Sequence, residues 1–193
     1  MSRIIFPLLA VLILCNSVNA AFVSTFWPKK NFSDTTFGSS EYQKKVLIAG
    51  TTSSFRDSLA IALADSLSKD SVFVRITSIK KLKKEKVSDW NAIVIFNTCM
   101  AWDIENRAKK FLKANSGYKG FILYTTSGDP VTCCPPEKIP SGVDAISSAS
   151  VAEKKPLVMG YIIEKIRALY SGSQSVPTAP VYNKPDGTTG ATK

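Results

Sequence analysis

The sequence contains no histidine. Histidine is the side chain whose ordinary pKa lies nearest to neutrality, and it is the general base of Ser-His-Asp triads and a common zinc ligand. Its absence excludes His-based triads, proton shuttling through an imidazole and most catalytic zinc sites. Many hydrolase mechanisms are therefore excluded for this chain.

Cysteine is also scarce, with four residues in a chain of 193. Cys15 lies in an N-terminal segment that we expect to be removed, which leaves Cys99, Cys133 and Cys134. Three cysteines allow at most one disulfide within the chain. Three thiols without an imidazole also leave a tetrahedral zinc site one ligand short, so we expect no metal site.

The apolar run at the N-terminus, Ile4 to Cys15, is well short of the roughly 20 residues that a membrane-spanning helix needs. It follows Arg3 and precedes a small-residue ending at Ala20, a layout typical of a Sec-type signal peptide. We therefore predict a signal peptide over residues 1–20, export to the periplasm or the medium, and no transmembrane span in the mature chain. The alternatives are an uncleaved anchor, which the length disfavours, and a lipoprotein, which the bulky residue before Cys15 disfavours.

Two flanking segments differ in composition from the region between them. Residues 21–43 mix aromatic residues with Ser, Thr and Gly without sustained periodicity, so we predict an extended N-terminal arm that packs loosely on a domain. Residues 171–193 are rich in Ser, Thr, Gly and Pro, a composition typical of a disordered tail. The domain itself is predicted to span residues 44–170.

Positive charge exceeds negative charge, with a formal net charge of +10. A basic exported protein is expected to meet an acidic partner or an anionic surface, and no nucleic acid, because export separates it from most nucleic acid. Residues 80–86 form the most basic run, KKLKKEK. This run either contacts an anionic surface or is a solvated connection between two strands, which is the commoner case.

Apolar runs and amphipathic stretches alternate between residues 44 and 170. Strands are predicted at residues 45–50, 71–77, 92–96 and 120–126, with a possible fifth at 143–150. Helices are predicted from the apolar spacing of Phe55, Leu59, Leu63 and Leu67, of Ile104, Ala108, Phe111 and Leu112, and of Val158, Ile162, Ile166 and Leu169. Continuous apolar strands that alternate with helices are typical of an α/β fold, a doubly wound parallel sheet with helices on both faces and right-handed crossovers.

In such a sheet, ligands bind beyond the carboxyl ends of the strands, where the strand order reverses. Three segments are expected to meet at that edge: Gly50 to Ser54, Asn97 to Asp103, and Thr126 to Cys134. The first is rich in hydroxyl groups and leads into a helix, an arrangement that can bind an anion. The alternative is that Ser54 is a helix N-cap, with Asp57 completing a capping box.

The chain resembles the flavodoxin family over roughly residues 44–170. The resemblance lies in the hydroxyl-rich loop of VLIAGTTSSF, in AIVIFNTCMAWDIENRAKKFL, where the family has a strand, a flavin-flanking loop and a helix, and in KGFILYTTSGDP, where it has a strand ending in Gly-Asp. It implies the strand order 2-1-3-4-5 and an FMN site at the three loops.

The resemblance also implies a role for individual residues. The implied FMN contacts are Thr51, Thr52, Ser53 and Ser54 as the phosphate loop, Trp102 against the flavin ring, and Thr98, Gly128 and Asp129 around it. The sequence departs from the family because Gly50 precedes the hydroxyl residues and does not lie between them, and because the chain is basic. We therefore expect no cofactor, with FMN as the alternative. Arg56 either favours an anion or is a surface charge, and Trp102 either faces a flavin or packs on the domain.

The implied strand order also brings the cysteine-bearing loops to one edge of the sheet. We expect Cys99 to pair with Cys133 or Cys134, which would stabilise the fold by about 2–4 kcal/mol. The alternatives are a strained vicinal disulfide between Cys133 and Cys134, or three free thiols.

Three function hypotheses follow. The first is an exported flavodoxin-like domain that acts as a non-enzymatic binding or structural module on a former FMN-binding scaffold. The second is an FMN-binding electron carrier, and the third is a thiol–disulfide redox protein centred on Cys133 and Cys134.

Overall fold

The computed structural model describes residues 31–98, 103–127 and 138–171. The strands are β1 (Thr35–Phe37), β2 (Lys44–Gly50), β3 (Val72–Ser78), β4 (Ala92–Thr98), β5 (Phe121–Ser127) and β6 (Asp144–Ala149). The helices are α1 (Ser54–Lys69), α2 (Asn106–Ala114) and α3 (Lys155–Ser171). The predicted signal peptide, residues 21–30 of the predicted arm and residues 172–193 of the predicted tail lie outside the described residues, and these parts stay predictions.

The strands form a 6-stranded sheet in the order β1-β3-β2-β4-β5-β6. Strands β2 to β6 are parallel, and their order is the predicted 2-1-3-4-5. The flavodoxin-like, doubly wound sheet is therefore confirmed.

The sixth strand is β1, which pairs antiparallel with β3 at the edge of the sheet. It lies in the segment predicted as an arm, so the prediction of about five strands was one strand short. A strand of three residues is too short to show an alternating pattern in the sequence. Gly38, at φ 76, starts the turn from β1 towards β2.

Two hydrophobic cores lie on opposite faces of the sheet. Side chains alternate along β2, so Val46 and Ile48 pack with α1 and α3, whereas Leu47 and Ala49 pack with α2. The second core also contains residues of a 3-10 helix, Ile79–Lys84, that follows β3. Helices therefore cover both faces, as predicted from the continuous apolar runs.

Two details of the predicted elements were wrong: the first residue of β3 and the last buried residue of α3. Ser71 has φ 57, in the left-handed region, so β3 begins at Val72 and not at residue 71. Leu169 is 37% exposed, because Tyr170, four residues after the buried Ile166, packs against the core in its place.

Within residues 31–98, 103–127 and 138–171, no helix is both long and apolar enough to cross a membrane.

Candidate functional site

The carboxyl ends of β2, β4 and β5 meet at one edge of the sheet, as predicted. The hydroxyl oxygens of Thr51, after β2, and Thr98, at the end of β4, are 3.2 Å apart. Arg56, in the first turn of α1, reaches Thr126 on β5. Hydrogen bonds therefore join the described parts of the three predicted segments.

Arg56 is the central residue of this edge, and its side chain is buried, at 8% exposure. Its Nε donates to the carbonyl oxygen of Thr51 at 2.8 Å, and its Nη2 donates to that of Thr52 at 3.1 Å. Its Nη1 donates to the hydroxyl oxygen of Thr126 at 3.0 Å. The guanidinium therefore closes the loop after β2 and ties it to β5, so its interpretation as a surface charge was wrong.

Burial lowers the pKa of the Arg56 guanidinium, because desolvation disfavours the charged form. The nearby Asp57 carboxylate opposes this shift by favouring the charged form. Arginine stays protonated in proteins, so the loop holds a buried cation at neutral pH.

Helix α1 begins one residue earlier than predicted, with Ser53 as its N-cap. The Ser53 hydroxyl accepts from the backbone N–H of Arg56 at 3.2 Å, and Ser54 is the exposed first residue of the helix. The predicted capping box of Ser54 and Asp57 was therefore wrong. With Ser53 as the N-cap, the third helical position is Arg56, whose side chain cannot accept the hydrogen bond that a capping box needs. The carboxylate of Asp57 accepts from the hydroxyl of Thr52 instead.

The groups at the start of α1 make hydrogen bonds within the chain. An anion at a helix N-terminus is bound by backbone N–H groups that point towards it. Here the N–H groups of Arg56 and Asp57 donate to Ser53, and the carbonyl groups of Thr51 and Thr52 point towards a cation. The Thr52 hydroxyl donates to a carboxylate. In this conformation the loop binds a cation, the Arg56 guanidinium, through two of its carbonyl groups.

Gly50, the residue before the loop, is required by packing. A Cβ atom at this position would lie 2.8 Å from the Cβ of Phe96 and 2.9 Å from the ring of Phe32. The two rings pack edge to face, with centroids 5.8 Å apart. The glycine therefore lets an aromatic pair close over the end of β2, which explains it without a ligand.

A short segment before β1, residues 31–34, covers the ends of β2 and β3, and we call it the N-terminal strap. The Phe32 N–H donates to the Gly50 carbonyl at 3.4 Å. The Ser78 hydroxyl donates to Asn31 at 2.9 Å, and Asp34 accepts from the hydroxyl of Thr77 and pairs with Lys81. The sequence does not predict these contacts, because the partners of the strap lie 18 to 47 positions away along the chain and no local pattern connects them.

Asn97 fixes the end of β4 and is fully buried. Its amide donates to the Thr125 hydroxyl at 3.2 Å and its carbonyl oxygen accepts from the Glu105 N–H at 2.9 Å. The Glu105 carboxylate then caps α2 by accepting from the N–H groups of Arg107 and Ala108. These side chains hold strand and helix together, and they explain Asn97 as a structural residue.

The other predicted site residues stay predictions. Trp102, Gly128 and Asp129 lie outside the described residues, as do Cys99, Cys133 and Cys134. In the described part of the chain, no group of three or more Cys, Asp or Glu residues is placed to hold a metal ion.

No family model and no curated protein matches the chain. Among solved structures, the chain is similar to the metal-soaked Flv1 flavodiiron core from Synechocystis sp. PCC6803, with 12% sequence identity and a TM-score of 0.51. The match covers 69% of this chain and 37% of that one, so this chain spans little more than a third of its length. At this identity, the similarity shows the flavodoxin-like fold and no activity.

Proposed function

We propose that this protein is an exported, non-enzymatic binding or structural module built on a flavodoxin-like scaffold. The observation that carries the proposal is the buried guanidinium of Arg56, which is bound by the loop that the resemblance implies for a phosphate. Three hydrogen bonds join this guanidinium to oxygen atoms of the same chain.

A flavin phosphate would have to displace those three bonds before it could enter the loop. A hydrogen bond to a charged group contributes about 1.5–3 kcal/mol to stability, so the displacement is costly. The phosphate would also meet two backbone carbonyl groups and the carboxylate of Asp57, all of which repel an anion. These contacts support a scaffold without a flavin.

Export rests on the N-terminal signal, residues 1–20, and it supports the same conclusion. A Sec substrate crosses the membrane unfolded, so it would leave the cell without a bound flavin.

A titration of FMN fluorescence with the purified chain tests the proposal. We expect a colourless protein and no quenching at micromolar protein. An FMN-binding electron carrier would instead be yellow and would quench the fluorescence, which would overturn the proposal.

Riboflavin, which lacks the phosphate, is the matched control ligand. Quenching of FMN but not of riboflavin would mean that the loop binds a phosphate after all. A double substitution, Thr51→Val with Ser53→Ala, removes two hydroxyl groups of the loop, and we expect it to leave both titrations unchanged.

The disulfide between Cys99 and Cys133 or Cys134 is a separate part of the proposal. Peptide mapping of the native protein without reduction is expected to recover Cys99 in a cross-linked peptide. Free Cys99 would rule the disulfide out, and a linked Cys133–Cys134 peptide would favour the redox alternative.

A further inference from the structure

The 3-10 helix after β3, Ile79–Lys84, presents its lysines to solvent. Ile79 and Leu82 are three residues apart, which is one turn of a 3-10 helix, and they are 1% and 0% exposed. Both anchor in the second core, so the positions between and after them face outwards. Lys80, Lys83 and Lys84 are accordingly exposed.

Helix α2 extends the same surface. Its buried residues Ala108, Phe111 and Leu112 belong to the core that holds Ile79 and Leu82. Lys110 and Lys113 are three positions apart on the opposite, exposed side of the helix. We call the combined surface the lysine face, and its members are Lys80, Lys83, Lys84, Lys86, Lys110 and Lys113.

The lysine face carries more positive than negative charge. Three acidic residues of these elements are already paired: Glu85 with Arg75 at 3.4 Å, Asp103 with Lys109 at 2.7 Å, and Glu105 with Arg107 at 2.7 Å. None of the six lysines forms an ion pair with another residue of the described ranges. Within residues 79–98 and 103–114, Asp89 is the one acidic residue without an ion pair to a described residue.

We propose that the lysine face binds the anionic headgroups of a lipid bilayer. Lysines at a membrane surface act as separate, flexible point charges, and each interacts with anionic lipid without a fixed partner geometry. The surface does not involve the loop after β2, so the inference is independent of the absence of a flavin.

A bilayer fits this surface better than an acidic protein does. Protein–protein interfaces obtain most of their binding energy from buried aromatic or apolar anchors. Among the described residues, the exposed large apolar side chains are Ile61, Val151, Leu157 and Leu169, on α1 and at α3, which cover the other face of the sheet. The lysine face therefore offers charge without an apolar anchor.

Co-sedimentation of the full chain with lipid vesicles tests the inference. Vesicles of phosphatidylcholine alone measure any binding that does not depend on anionic lipid, and vesicles with added phosphatidylglycerol measure the electrostatic part. We expect binding to rise with the anionic fraction. It should fall as ionic strength rises, since the Debye length shortens from about 30 Å at 0.01 M to about 8 Å at 0.15 M.

The test variant is the triple substitution K80Q/K83Q/K84Q, and the matched control is K69Q/K154Q/K155Q on α1 and at the start of α3. Both remove three positive charges. Each lysine near an anionic bilayer contributes roughly a fivefold factor to binding, so we expect the test variant to lose about 100-fold and the control less than about threefold.

Three results would overturn the inference. Equal losses in the two variants would mean that net charge, and not this face, drives binding. Equal binding of the wild-type chain to neutral and anionic vesicles would mean that the lysines contribute nothing. Retention on an immobilised acidic protein or on DNA, without binding to anionic vesicles, would assign the face to that class of macromolecule instead.

Discussion

The loop after β2 and the lysine face use positive charge in opposite ways. In the loop, one buried cation, Arg56, gives hydrogen bonds to three oxygen atoms of its own chain. On the lysine face, six exposed cations form no ion pair with another residue that the structure describes. The comparison indicates that Arg56 stabilises the fold, whereas the lysines are available to a partner.

The largest expected effect is that of Arg56→Ala. The substitution leaves one buried and one partly buried carbonyl group without their donor, so we expect the free energy of unfolding to fall by about 3 kcal/mol in a urea titration. Arg56→Lys should recover less than half of this loss, because an ammonium group cannot reproduce the planar, three-way contact.

Lys83→Ala is the control on the lysine face, where we expect a change within about 0.5 kcal/mol. Losses of similar size at Arg56 and Lys83 would contradict the difference between the two regions.

A smaller loss is expected from Gly50→Ala at the entrance to the loop. The added Cβ would lie 2.8 Å from the Cβ of Phe96, so we expect a cost of about 2 kcal/mol from overpacking. Gly160→Ala is the matched control, because nothing lies within 4 Å of a Cβ at that position in α3.

The control should stabilise the protein by about 0.5–1 kcal/mol, the preference of a helix interior for Ala over Gly. A tolerated Gly50→Ala would mean that the end of β2 is open enough to admit a ligand.

The smallest expected effect concerns Asp34 of the N-terminal strap, which pairs with Lys81, a lysine next to the lysine face. Hydrogen bonds from Lys81 and Thr77 hold the pKa of Asp34 below its ordinary value of 3.8. A depressed carboxyl pKa stabilises the fold above the ordinary value, and this contribution disappears as the pH falls through the folded pKa.

Asp34→Asn should therefore lower stability at pH 7 by less than about 1 kcal/mol, the range of exposed ion pairs. The difference from the wild-type chain should shrink below about pH 4. A difference that is the same at every pH would show that charge on Asp34 does not hold the strap.

Much of the fold was predictable from the sequence because its signals are local. Continuous apolar runs such as those of β2 and β4 mark strands buried on both faces, and the helix spacing places the two cores. The strand β1 has three residues and pairs through its backbone with a distant strand, so it leaves no such signal.

The meeting of the loops at one edge of the sheet was predictable, but the contacts inside the loop after β2 were not. Thr51 and Thr98 lie together at that edge, yet the role of the loop depends on which backbone groups point inwards. Arg56 contacts Thr126, 70 residues away, and no pattern near Arg56 encodes that contact. In a run of four hydroxyl residues, each residue could be the N-cap of the helix. This explains why the predicted N-cap, Ser54, is one residue away from the observed one, Ser53.

The Nε–H signal of Arg56 in a nitrogen-15 NMR spectrum tests most directly whether its guanidinium is bound inside the loop after β2. The Arg56→Lys variant, which lacks this signal, assigns it. The contacts predict a signal that exchanges slowly with solvent and that does not move when FMN or inorganic phosphate is added at micromolar concentration. A signal that exchanges rapidly, or that shifts with added FMN, would mean that the guanidinium faces a ligand site, and it would contradict the account.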